Sequence, residues 1–260
     1  MEHRIEELQI AGFDCCLYLP PNYDESTVRY PTAYVNGEIP LEGILTILVK
    51  NGVRTDFILL SIKPKSWNDD FTPWAAPAIR AGEEAPQGRA DAYLFCLTEK
   101  IKPYMDAHYR TKPEAAHTAL FGYSLGGLTA VYTIYKTNVF GAIASLSGSL
   151  WYDGFGDFME REKPMRTDLR VYLSLGKKES RSKNPRMGRV AECTQRVREI
   201  LDGQLGRSGE FDEAGDRSIL RADRDNGGFV YFTWNEGGHF HDIEGRFAKA
   251  ILWWMKGFGG

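Results

Sequence analysis

Gly122-Tyr123-Ser124-Leu125-Gly126-Gly127 is the stretch from which the fold is read. An apolar run from Thr118 to Phe121 leads into it, and a helical pattern from Leu125 to about Lys136 leads out. A serine in the pattern G-x-S-x-G between a strand and a helix sits on a tight turn. The glycines on either side remove Cβ atoms that would clash there and leave the hydroxyl exposed. The helix start behind the serine offers partial positive charge and the free N–H of Leu125, a donor of the kind that holds an oxyanion.

Outward from this turn, strand and helix patterns alternate. Arg4 to Ile10 and Phe13 to Leu19 read as an antiparallel pair around Ala11-Gly12, ended by Pro20-Pro21-Asn22. Tyr30 to Asn36 predicts a strand, Leu41 to Lys50 a helix, and Thr55 to Ile62 a strand buried on both faces. Residues 63–88 hold six prolines and glycines without periodicity, which marks a long functional loop. Ala90 to Tyr109 carries a helical apolar stripe, with Pro103 placed to kink it. Further strands are expected at His117–Gly122, Gly141–Leu146, Arg170–Leu175 and Phe229–Trp234. Helices are expected over 185–203 and Ile243–Met255, with a charged, Gly-rich stretch over 204–227. Strands separated by helices of this length predict an α/β protein: a mainly parallel central sheet with helices on both faces, a three-layer sandwich in a single domain over 1–260.

Composition narrows the classes. Hydrophobic residues at 43% and charged residues at 26% exclude disordered, collagen-like and coiled-coil chains. A net charge of −3 argues against a nucleic-acid partner. The apolar stretches, such as Phe57 to Ile62, are too short for a membrane span, and MEHRIEELQI has no apolar secretory core. Cysteines at 15, 16, 96 and 193 show no CxxC spacing, so a reduced, cytoplasmic protein without structural zinc is expected. Aromatic residues at 13%, six of them Trp, imply large planar walls in a core or pocket.

A nucleophilic serine needs a base, and the histidines are 3, 108, 117, 239 and 241. In enzymes built on such an elbow the acid and then the histidine follow the serine, which leaves His239 and His241. His239 follows Glu236-Gly237-Gly238 directly after the last strand, whereas His241 is placed to help start the final helix. A metal reading of His239-x-His241-Asp242 lacks a further His or Cys cluster, so no metal is expected. Glu179 ends an intervening strand and is the candidate acid that holds the histidine tautomer; Asp153, Asp157 and Asp168 are its rivals.

Taken together, the elbow, Ser145-Leu-Ser-Gly-Ser149, Leu-Gly-Lys-Lys-Glu179 and Glu-Gly-Gly-His239 resemble the esterase D and enterochelin-esterase-like group of α/β-hydrolases. Asn68-Asp-Asp-Phe-Thr-Pro-Trp74 and Tyr-Arg-Thr at 109–111 belong to the same resemblance, which covers most of residues 30–256. It implies the α/β-hydrolase fold, a nucleophile at Ser124, a base at His239 and an acid at Glu179. In that group a His-Gly or Asp-Gly pair precedes the residue giving the second oxyanion N–H; here the pair is Asn36-Gly37, so Glu38 takes that position. The members that open siderophore trilactones sometimes work with a weak or absent acid.

The expected reaction is hydrolysis of a small-molecule carboxylic ester through an acyl-enzyme, without cofactor. An anionic catecholate trilactone, an acyl transfer using the same residues and a non-catalytic binding role are the alternatives. Lys177, Lys178, Arg181, Lys183, Arg186 and Arg189 crowd around Glu179, and Lys63 and Lys65 follow another strand, so steering of an anion is one expectation and a solvated face the other. Trp67, Trp74, Tyr123 and Trp151 are the expected substrate walls, while Trp254 lies on the packed stripe of the last helix.

Overall fold

The computed structural model describes residues 4–80, 82–205 and 228–258. Within them an eight-stranded sheet runs in the order β1-β2-β4-β3-β5-β6-β7-β8. Its strands are β1 (Arg4–Ile10), β2 (Phe13–Leu19), β3 (Thr32–Asn36), β4 (Ile58–Ile62), β5 (Thr118–Tyr123), β6 (Ala142–Leu146), β7 (Arg170–Gly176) and β8 (Phe229–Asn235). The β1–β2 hairpin and the β2–β4 pair are antiparallel, and every other pairing is parallel. This is the sheet of an α/β-hydrolase. The parallel strands therefore all end at one edge, and β3, β4, β5 and β6 are buried along their whole length because helices cover both faces.

Alternation along the strands sorts the core into two layers. Ala33, Val35, Leu59 and Phe121 face helices α1 (Leu41–Lys50) and the C-terminal helix (Ile243–Lys256), whose Ile44, Leu48, Phe247, Ile251 and Trp254 fill that side. Trp254 and Trp253 are both buried, and Trp254 meets Phe57 and Phe121 edge-on with ring centroids 6.1 and 5.8 Å apart. Tyr34, Leu60 and Leu120 face the other way. There they meet α3 (Ala90–Cys96), α4 (Lys102–His108), α5 (Leu125–Thr133), α6 (Phe155–Arg161) and α8 (Val190–Leu205), with α2 (Trp67–Asp70) and α7 (Pro185–Gly188) as single turns; the C-terminal helix is α9.

Differences from the sequence reading have local causes. The helix expected over Ala90–Tyr109 widens into a π turn at Leu97–Ile101 just before Pro103, whose ring cannot fit a regular α turn over residue 99. The helix expected over 185–203 is two, broken at Arg189. The short helices α2 and α6 were not expected, since four and seven residues show too little periodicity. Of the charged stretch 204–227, residues 206–227 lie outside the described residues. No helix among the described residues is long and apolar enough to cross a membrane.

Candidate active site

The elbow occupies the end of β5. Ser124 has φ +56° and ψ −120°, outside the regions side chains prefer, and three bonds hold it there. Its N–H donates to the Leu146 carbonyl at 3.1 Å, and its own carbonyl accepts from Leu128 at 3.0 Å and Ser149 at 2.9 Å. A Cβ at Gly122 would collide with the Gly126 carbonyl, so the turn is open only to glycine at that position. The hydroxyl is thereby presented at the sheet edge where β3, β6, β7 and β8 also end.

At that edge the structure brings Ser124, His239 and Glu179 into one hydrogen-bonded chain. His239 Nε2 lies 3.1 Å from Ser124 Oγ, and His239 Nδ1 lies 2.8 Å from Glu179 Oε2. Glu179 is 7% exposed. Burial pushes its carboxyl up, but bonds from His239, Ser147 and the Gly176 N–H outweigh it and hold the group below its ordinary value. The rival carboxylates are engaged elsewhere, Asp153 with Arg186, Asp157 with Arg196 and Asp168 with Arg166. His241 stands one residue before the N-cap of α9, and Asp242 makes the cap by accepting from the Gly245 N–H at 3.1 Å. Among the described residues no group of three or more His, Cys, Asp or Glu is placed to hold a metal.

Leu125 opens α5, so its N–H is one of the first-turn donors that a helix cannot satisfy internally. Glu38 follows Gly37, which has φ +103° and where a Cβ would press the Trp67 ring at 2.9 Å. The two segments are tied together: Asn36, 1% exposed, donates from Nδ2 to the Gly126 carbonyl at 3.0 Å and accepts at Oδ1 from Tyr93 at 2.8 Å.

A cavity of about 620 Å³ opens over Ser124 and His239. Of the four expected walls, Trp67, Tyr123 and Trp151 line it. Trp74 does not; its Nε1 donates to the Asp153 carbonyl at 2.9 Å and its ring packs among Tyr132, Tyr152, Phe155 and Phe158. Phe240, 74% exposed beside His239, lines the cavity and was not foreseen. None of the six cations around Glu179 lines it, and Lys177, Arg186 and Arg189 are paired with Glu236, Asp153 and Glu192. Glu38, Arg80 and Glu83 are the charged residues on its wall besides Glu179.

Three further residues escaped the sequence reading. Ser147, at φ +48° and fully buried, donates to Glu179 Oε1 at 2.6 Å. Ser149 Oγ lies 3.3 Å from Ser124 Oγ. Arg246, on α9 and fully buried, reaches Glu179 Oε1 at 2.9 Å. Its sequence signal was there: Arg246 shares the buried stripe of α9 with Ala250 and Trp253, where a cation needs a partner.

Known proteins place this geometry in context. The chain is 27% identical over 206 residues to "Uncharacterized protein YbbA" of Bacillus subtilis (strain 168), a match covering 77% of this chain and 82% of that one. It is 30% identical over 86 residues to the "Siderophore enterobactin esterase" of Emericella nidulans, a match confined to 33% of this chain and 28% of that one. The fold superposes on an IroE-like serine hydrolase from Shewanella oneidensis with a TM-score of 0.68 at 16% identity, over 98% of this chain and 78% of that one. The Esterase family model, described as "Putative esterase", matches residues 13–219; the chain therefore belongs to the Esterase family and is a carboxylic ester hydrolase on the α/β-hydrolase fold.

Proposed function

We propose that the chain hydrolyses neutral carboxylic esters through an acyl-enzyme on Ser124. The observation that carries this reading is the unbroken chain from Ser124 Oγ through His239 to Glu179, at 3.1 and 2.8 Å, beneath an open cavity. His239 takes the Ser124 proton as the hydroxyl attacks the ester carbonyl. Glu179, ionised, holds the Nδ1–H tautomer and stabilises the imidazolium. The N–H groups of Leu125 and Glu38 receive the oxyanion; collapse of the tetrahedral intermediate expels the alcohol, which leaves with the proton held on His239. Water, deprotonated by the same imidazole, then attacks the acyl-enzyme and releases the acid.

The walls support an apolar or aromatic group on the substrate, seated against Trp67, Trp151 and Phe240. A neutral ester is favoured over an anionic catecholate because the one cation lining the cavity, Arg80, lies 3.7 Å from Glu83, and Lys63 at the side of Glu38 is paired with it at 3.3 Å, which leaves no unpaired positive charge on the wall among the described residues. Four free cysteines support a reducing compartment, the cytoplasm. The test is turnover of p-nitrophenyl esters by purified protein, with Ser124→Ala inactive and a fluorophosphonate labelling Ser124. Equal or faster turnover of an anionic ester at low salt, slowed by added salt, would replace the neutral reading with the steered one. Product analysis with an added alcohol separates hydrolysis from acyl transfer.

A further inference from the structure

Around the proposed triad, several hydrogen bonds converge on one side chain that the reaction does not use. Arg246 Nη1 faces Glu179 Oε1 at 2.9 Å, Tyr123 Oη at 3.1 Å and Ser147 Oγ. Its Nη2 donates to the carbonyls of Gly238 at 2.8 Å and Glu236 at 3.3 Å. The Tyr123 hydroxyl in turn donates to the His239 carbonyl, and burial pushes that phenol up, which keeps it a donor. One guanidinium thus touches the acid directly and grips the loop carrying the base at three carbonyls, one of them through Tyr123. It does not line the cavity.

A fully buried cation requires a counter-charge, and Glu179, with a side chain 3% exposed, provides it. Lysine would match the charge but not the two-branched grip, because its donors lie on one atom. We propose that Arg246 is the positioning residue of this site: it fixes Glu179 and the His239 loop relative to one another and balances the charge of the acid. This rests on the triad reading of the preceding subsection.

The titratable and charged groups facing Glu179 are His239 from the loop, Arg246 from α9 and Tyr123 from β5, while Lys177 and Lys178 precede it in the chain and are exposed. Without the guanidinium the buried carboxylate keeps only the imidazole as a cationic partner. Protonation then reaches the Glu179–His239 pair at higher pH.

The experiment compares Arg246→Gln and Arg246→Lys with Ser124→Ala and Glu179→Gln, reading kcat and KM on a p-nitrophenyl ester across pH. Both Arg246 variants are expected to lose about 10- to 100-fold in kcat with KM within about twofold. The acid limb of kcat/KM moves up by about one pH unit in Arg246→Gln and stays in place in Arg246→Lys. Wild-type kcat in both, a rise in KM alone, or equal losses with an unmoved limb overturns the proposal, and leaves the triad standing if Glu179→Gln remains depressed. Activity that survives Ser124→Ala overturns the triad reading and this one with it. Where Arg246→Gln fails to fold, Arg246→Lys decides: a kcat loss at constant KM supports the role, and wild-type kcat overturns it.

Discussion

Ser124 and Ser147 occupy equivalent places on neighbouring strands. β5 and β6 are parallel with Tyr123 opposite Leu146, so each serine is the next residue past the paired ends, and each has a positive φ, +56° and +48°. Their surroundings separate them. Ser124 opens into the cavity with an imidazole nitrogen 3.1 Å away, whereas Ser147 stands on the same cavity wall with no exposed surface and donates to Glu179 at 2.6 Å beside the Arg246 guanidinium. A serine with positive φ at a strand end presents its hydroxyl to the cavity and a base in one case, and to a buried ion pair in the other. Chemistry at such a turn is decided by the partner across the edge.

Removing the first hydroxyl breaks the comparison most sharply: Ser124→Ala is expected to lower kcat by about 10⁴-fold or more while leaving the folded state intact, as measured by ester turnover alongside thermal unfolding. Next in size, Glu179→Gln should lower kcat by roughly 10²- to 10³-fold, since the imidazole loses its orienting carboxylate. The same variant carries a pH signature. The Glu179 carboxyl is held below its ordinary value of 4.5, so its contribution to stability is full above that pH and is lost as pH falls through the lower folded value. Urea unfolding of wild type between neutral pH and the acid range should therefore lose stability more steeply than Glu179→Gln; parallel curves would refute the assignment.

The second hydroxyl should matter through the acid and not through the substrate. Ser147→Ala is expected to cost about 2 kcal/mol of stability, the scale of a hydrogen bond to a charged group. It should also lower kcat by about tenfold without changing KM. A KM effect would mean that Ser147 contacts the bound substrate. The smallest effect concerns the turn itself: Ser124→Gly should be about 1 kcal/mol more stable than Ser124→Ala, because glycine adopts the positive φ without strain. Denaturation midpoints of the two inactive variants measure it.

Much of this site could be read from the chain because its parts sit where strands end. Gly122 to Gly127 announces a turn that few other structures need, and His239 and Glu179 each close a β-rich run. The mainly parallel sheet follows from the strand and helix alternation, whereas its strand order does not, and the ends of the elements shifted by only a few residues. Side-chain direction was harder. Trp67 and Trp74 lie seven residues apart between two strands, yet the first lines the cavity and the second packs into an aromatic cluster away from it, since nothing in the composition of such a segment fixes which way a ring turns. Arg246 was hidden by its helix: among Ile243, Phe247 and Ala250 it reads as one polar residue in an amphipathic repeat. Ser147 belongs to the Ser145–Ser149 motif, but its partners come from the turn after β7 and from α9, which are distant in sequence.

Asn36 has a consequence for how the transition state is solvated. The two amides proposed to receive the oxyanion belong to segments 90 residues apart, and the Asn36 Nδ2 bond to the Gly126 carbonyl clasps those segments at 3.0 Å. Water answering a new negative charge must first turn its own dipoles; amides clasped in this way are already turned when the chain has folded. The reorganisation belongs to folding rather than to each turnover. Substrates of different bulk can then share one electrostatic environment at the carbonyl, whatever the proposed aromatic walls above select by shape.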